Sequence, residues 1–126
     1  MSLKYSNLKV ISDSRGFVFE PLPADAFSYQ RNAHVVFSDP GVIRGNHYHI
    51  KGEERIAVVG PSLVRCREND EIKDVDIPAG EVYVFTFPPG VGHAIQNLSI
   101  RPNVLFAFNT LAHDPNNPDT IKDVLL

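Results

Sequence analysis

Gly41-Val42-Ile43-Arg44-Gly45-Asn46-His47-Tyr48-His49, followed by Ile50-Lys51-Gly52-Glu53-Glu54 and an apolar run that ends at Gly60, is the stretch on which the fold turns. Its β-branched and aromatic residues read as strand, and side chains two apart on a strand share a face. His47 and His49 therefore project together, with Cα atoms about 6.5 to 7 Å apart, and Tyr48 points the other way. The short Ile50-Lys51-Gly52 connection can reverse the chain and set a carboxylate beside both imidazoles. Spacing to Gly60 favours Glu53 as that carboxylate, and a four-residue spacer after His49 favours Glu54. Alternation that turns Ile56 and Val58 inward and Arg55 outward also favours Glu54. His93, after Pro88-Pro89-Gly90, adds a third imidazole from a distant strand. Three imidazoles and a carboxylate suit a divalent zinc, iron, manganese or nickel ion, and the sequence does not choose among them. His34 and His113, taken singly, read as polar residues rather than ligands. No motif asks for an organic cofactor.

Working outward, short β-branched and aromatic runs alternate with turn residues, and no stretch keeps a helical period. Strands are expected at Phe17–Leu22, His34–Ser38, Val42–His49, Arg55–Gly60, Leu63–Arg67, Lys73–Ile77, Val82–Phe87, His93–Leu98 and Val104–Thr110. Asp39-Pro40-Gly41, Gly60-Pro61-Ser62, Glu68-Asn69-Asp70 and Pro78-Ala79-Gly80 punctuate them. This rhythm predicts an all-β double-sheet jelly-roll barrel. At 126 residues and 43% hydrophobic composition, one domain with one sizeable core is expected: a core of about 13–111 and a polar tail over 112–126. In that tail, Asp119 or Thr120 is expected to cap a short helical turn. With 12 basic against 15 acidic residues, a net charge of −3 gives no general attraction to nucleic acid or anionic lipid. The apolar runs are too short to cross a bilayer and no signal segment opens the chain, so a cytoplasmic protein is the default. The lone Cys66 sits in alternating Val-Arg-Cys-Arg and reads as a small core residue.

Two longer motifs carry a family resemblance. Gly41-(5)-His47-Tyr48-His49-(3 or 4)-Glu53/Glu54 with Gly60 is similar to the first cupin motif, and Pro88-Pro89-Gly90-(2)-His93-(3)-Asn97 to the second. They stand in the right order, about 30 residues apart. The second motif usually has a glycine where Val82 stands, and Gly80 implies a strand longer by two residues. Asp13-Ser14-Arg15-Gly16-Phe17-Val18-Phe19-Glu20 and Gly41-Val42-Ile43-Arg44-Gly45-Asn46-His47-Tyr48 resemble segments of the dTDP-4-dehydrorhamnose 3,5-epimerase family. Gly45–His49 and Asp114–Thr120 resemble the cupin domain of bifunctional capsular-polysaccharide enzymes that epimerise a UDP-4-keto sugar.

The resemblance implies an epimerase or ketoisomerase acting on a nucleotide-linked 4-keto-6-deoxy sugar. It implies His47, Tyr48 and His93 as candidate catalytic residues, and Arg15, Glu20, Arg44, Asn46 and Asn97 as candidate substrate contacts. Guanidinium groups at Arg15 and Arg44 suit a diphosphate, onto which they fork. In the long epimerases the counterpart of His47 is a base, whereas a ligated imidazole has its lone pair occupied. A late tyrosine acid of those enzymes has no counterpart, because Phe106-Ala107-Phe108-Asn109 stands there. A single epimerisation or a 3,4-ketoisomerisation fits better than a double one. A metal-dependent cupin of another class and a non-catalytic sugar-binding cupin are the competing readings. Small barrels leave apolar edges, so a homodimer through Phe17, Phe19, Val35 and Phe37 is expected.

Overall fold

A computed structural model describes residues 2–126. Twelve strands form it: β1 (Lys4–Leu8), β2 (Ile11–Asp13), β3 (Gly16–Val18), β4 (Asn32–Ser38), β5 (Ile43–His49), β6 (Glu54–Val59), β7 (Ser62–Glu68), β8 (Glu71–Ile77), β9 (Val82–Phe87), β10 (Gly92–Asn97), β11 (Asn103–Asn109) and β12 (Thr120–Lys122). One sheet runs β1-β9-β6-β11-β4 and faces a second that runs β12-β5-β10-β7-β8, while β2 and β3 make a separate hairpin. All pairings are antiparallel. The jelly roll expected from the turn rhythm is the observed architecture. Between the sheets lie Ile56, Val58, Val64, Cys66, Ile77, Phe85, Phe87, Ile95 and Leu105. Cys66 is a buried core residue, and burial pushes its thiol up to about 12.

Several elements depart from the sequence expectation, β2 among them. β1 was not anticipated, yet it pairs along β9 and extends the first sheet. The strand expected over Phe17–Leu22 stops at Val18, where Pro21 and Pro23 lack the N–H groups a ladder needs. A 3-10 helix follows at Ala24–Tyr29. In the tail there is no helical turn: Thr120–Lys122 pairs with His49, Tyr48 and His47 of β5 as strand β12. Ordered pairing thus extends beyond residues 13–111 on both sides.

β6 is buried on both faces, so its alternation is only half of its story. Ile56 and Val58 face the core, while Ala57 and Val59 join Val82 beneath Leu8, Val10, Phe19 and Phe106. Phe19 meets Phe106 edge-on at 5.6 Å, which commits it within the chain. Phe17, Val35 and Phe37 are exposed.

Candidate metal centre and cavity

Four side chains converge where β5, β6 and β10 meet at the open end of the barrel. His47 and His93 sit directly opposite each other in the β5–β10 ladder. Gly90 N–H donates to the His49 carbonyl at 2.8 Å, which fixes the Pro-Pro-Gly turn against β5. Glu54 is the first residue of β6. Phe87 stacks on the His93 ring at 4.1 Å and forms the floor. One ligand atom from each of His47, His49, Glu54 and His93 lies within 4.8 Å of the others. The Glu53-Glu54 choice resolves to Glu54, which is buried at 5% exposure. Glu53 instead donates its N–H to Thr110 Oγ1.

Hydrogen-bond accounting shows what the cluster lacks. His93 Nδ1 lies 3.1 Å from the Val91 carbonyl, an acceptor only, so Nδ1 carries the proton. Nε2 then faces Glu54 Oε1 at 2.9 Å, and a neutral ring has only a lone pair to offer there. A cation between them, either a second proton or a metal ion, resolves the contact. Both ring nitrogens of His49 are buried without a hydrogen-bond partner. Glu54 Oε2 and Asp119 Oδ2 stand 3.3 and 3.6 Å from them. Orphaned buried nitrogens beside carboxylates fit a divalent ion.

The charges agree. Burial alone would raise Glu54, but the facing imidazoles of His49 and His93 outweigh it and hold the carboxyl far below the usual range. Burial also depresses His49, yet Glu54 and Asp119 win and the net direction is upward. His47 is pushed down to about 4, first by burial and then by the neighbouring His93. Neutral imidazoles and an ionised carboxylate are the forms that ligate metal, so the shifts of His47 and Glu54 suit an ion, whereas His49 must release a proton to join it. Asp119 also accepts from the backbone N–H groups of Lys51 and Gly52. It therefore braces the β5–β6 connection and the outer side of His49, a positioning role that the helix-cap reading missed.

Two chambers open onto the cluster. The outer one, about 190 Å³, is bounded by the segment Leu111–Thr120, Asn32 and Asn109. The inner one, about 200 Å³, reaches Arg44, Val36 and Ile95. His34, His47 and Glu54 line both. Arg44 arrives by a β-bulge: His93 pairs with His47 but Ala94 pairs with Gly45, so Asn46 is the extra residue. Gly45 and Asn46 take φ of 87° and 57°, and a Cβ at Gly45 would lie 2.6 Å from the His93 carbonyl. The inserted residue brings Arg44 and His47 onto one face although they are three apart. Arg44 Nε donates to Ser38 Oγ and Nη2 to the Phe37 carbonyl, which anchors the guanidinium across to β4.

Other candidate residues lie elsewhere. Tyr48 lines neither chamber. Arg15 is in the exposed β2–β3 turn, bonded to Asp13. Glu20 lines a cleft of about 650 Å³ with Lys9 and Arg55 on the outer face of the first sheet. The Asn46 side chain accepts from Leu125 and Leu126 N–H, and Asn97 holds the turn at Ser99 and Arg101. His34, Asn32, Asn109 and Asp119 are cavity residues that motif spacing did not assign to the site. The alternation of Asn32 and His34 on β4 was a readable signal.

A double-sheet jelly roll with His47-x-His49, Glu54 and His93 at its open end is a cupin. The chain belongs to the family described as polysaccharide biosynthesis C-terminal domain, which matches residues 11–121. It is 29% identical over 130 residues to the spore coat polysaccharide biosynthesis protein SpsL of Bacillus subtilis (strain 168), covering 93% of this chain and 84% of that protein. Among solved structures, the capsular polysaccharide assembling protein CapF of Staphylococcus aureus superposes with a TM-score of 0.69 at 29% identity, covering 94% of this chain. The match spans 33% of CapF, about a third of its length. The sugar 3,4-ketoisomerase QdtA of Thermoanaerobacterium thermosaccharolyticum shares the fold at a TM-score of 0.71 and 18% identity, covering 96% of this chain and 88% of that one. No helix among the described residues is long and apolar enough to cross a membrane.

Proposed function

We propose that the protein is an epimerase or 3,4-ketoisomerase of a nucleotide-linked 4-keto-6-deoxy sugar used in surface polysaccharide biosynthesis. The observation that carries this is a cluster of imidazoles and a carboxylate sharing one cavity with Arg44. Its relatives support the reading: SpsL and CapF are named for polysaccharide work, and QdtA is a sugar ketoisomerase. Each chamber suits one sugar ring better than a whole nucleotide sugar, so the nucleotide lies at the mouth.

Both reactions begin with loss of the proton on the carbon beside the ketone. The C–H electron pair becomes a C=C bond and the carbonyl pair moves onto oxygen as an enolate. Return of a proton to the opposite face inverts that carbon; when instead the hydroxyl on that carbon gives its proton to the enolate oxygen and becomes the new carbonyl, while the former carbonyl carbon takes up the returning proton, the ketone moves. Arg44 supplies permanent positive charge for a phosphate or the enolate oxygen. His47, His49, Glu54 and His93 are the residues that would hold a divalent ion, which would polarise the ketone as a Lewis acid. In this role His47 is a ligand, and its lone pair is not free to act as a base. We place the reaction in the cytoplasm, a compartment with which a single buried thiol accords.

The test is incubation of the metal-loaded chain with UDP- and dTDP-4-keto-6-deoxyglucose in D2O. Deuterium at a carbon next to the ketone is expected. No incorporation into either sugar sinks the isomerase reading, and iron in the site with oxygen consumption would favour a dioxygenase.

A further inference from the structure

Resting on the isomerase reading above, we infer that His34 is the proton carrier of the cavity, held in place by Asn32. The reasoning starts with what the cluster cannot spare. Its four donor atoms lie within 4.8 Å of one another, and an ion held among them would occupy their lone pairs. A base must come from elsewhere on the walls.

Strand register puts His34 across from the cluster. Across the first sheet, Asn32, Asn109 and Glu54 form one row, and His34, Ala107 and Ile56 the next. With neighbouring strands about 4.8 Å apart, His34 stands about 10 Å from β6. That leaves the width of a sugar ring between His34 and the donor set. His34 lines both chambers, so a substrate in either one meets it.

Its partner suits a group that must gain and lose a proton. Asn32 Nδ2 lies 3.3 Å from His34 Nδ1, and among the described residues Nε2 has no hydrogen-bond partner. With the amide donating, Nδ1 accepts and Nε2 carries the proton. With the amide turned over, Oδ1 accepts from Nδ1–H and Nε2 presents its lone pair. One neighbour thus supports both states. The alternatives are weaker. Asp119 is committed to Lys51 and Gly52, Arg44 does not deprotonate, and His113 and Asp114 border only the outer chamber.

The step balances. His34 Nε2 takes the proton from the carbon beside the ketone, and the enolate holds the electron pair. The Nε2–H then returns the proton on the same face to the former carbonyl carbon, the outcome of a ketoisomerase, or exchanges it with water at the open mouth, where His34 is exposed.

The experiment compares wild type, His34→Gln and Asn32→Ala, all metal-loaded full chains, for deuterium uptake into UDP- and dTDP-4-keto-6-deoxyglucose. In His34→Gln the uptake rate is expected to fall about 10²- to 10⁴-fold, with metal content, melting temperature and KM near wild type. Asn32→Ala is expected to lose roughly 10-fold, as a positioning residue does. Wild-type uptake by His34→Gln, or loss of bound metal in it, overturns the assignment while leaving the isomerase reading intact. If wild type itself shows no uptake, that reading fails and this inference falls with it.

Discussion

Glu54 is the residue on which the site depends. It is buried, it touches His93 and His49 through separate oxygens, and its charge offsets the crowding of three imidazoles. Glu54→Gln keeps the shape but removes the charge, so bound divalent metal measured on the purified protein is expected to drop at least roughly 10-fold. Metal retained at the wild-type level would mean the cluster is not a ligand set. The metal-free protein also has a signed pH response. His47 titrates at about 6.5 when unfolded and about 4 when folded, so stability from keeping it neutral is full above 6.5. That stability is lost as pH falls from 6.5 towards 4. His49, shifted upward, acts oppositely: it stabilises below 6.5 and the gain fades as pH rises through its folded value. In thermal melts without metal, His47→Gln is expected to lose less stability than wild type between pH 6.5 and 4. A parallel loss in both proteins would contradict this.

Elements translate those residues into geometry, and here the sequence was uneven as a guide. The His47-x-His49 alternation, the turn before Glu54 and the Pro-Pro-Gly turn before His93 were legible, because each is a local pattern with a fixed period. The bulge at Gly45-Asn46 was not. An extra residue shifts the phase of every side chain before it, and only the register with β10 reveals it. Gly45→Ala puts a methyl against the His93 carbonyl in a left-handed backbone, with an expected cost of about 1 to 3 kcal/mol. A denaturation midpoint unchanged from wild type would argue against the bulge. β1 and β12 escaped notice for a related reason: short, exposed strands carry little apolar pattern, and long-range pairing defines them. Phe87, legible as a core strand residue, also supports the His93 ring. Phe87→Ala is expected to cost about 3 to 5 kcal/mol and to weaken metal binding, measurable by urea unfolding with and without zinc.

At the scale of the whole molecule, the jelly roll packs Phe85 and Phe87 between its sheets, with Phe87 beneath the His93 ring, and opens beside that ring's cluster to a polar cavity. Under the proposed function, the donor set and the Arg44 and His34 side chains on separate walls would give a sugar ring a place to react. Candidate residues drawn from motif likeness alone, such as Arg15 and Glu20, fall outside that cavity because sequence proximity to a motif does not fix which face a residue joins. Exposed Val35 and Phe37 on edge strand β4 are expected to pair with a second copy, and Phe37→Glu should shift the light-scattering mass from two chains to one. A wild-type mass of one chain would contradict the dimer. The central claim, an isomerase whose proton exchange occurs at this metal centre, is tested most directly by following deuterium entry into a nucleotide-linked 4-keto-6-deoxyglucose before chelation, after it, and after metal is restored. Exchange beside the ketone that stops on chelation and returns with the metal is the predicted result; no exchange at all, or exchange indifferent to chelation, would contradict it.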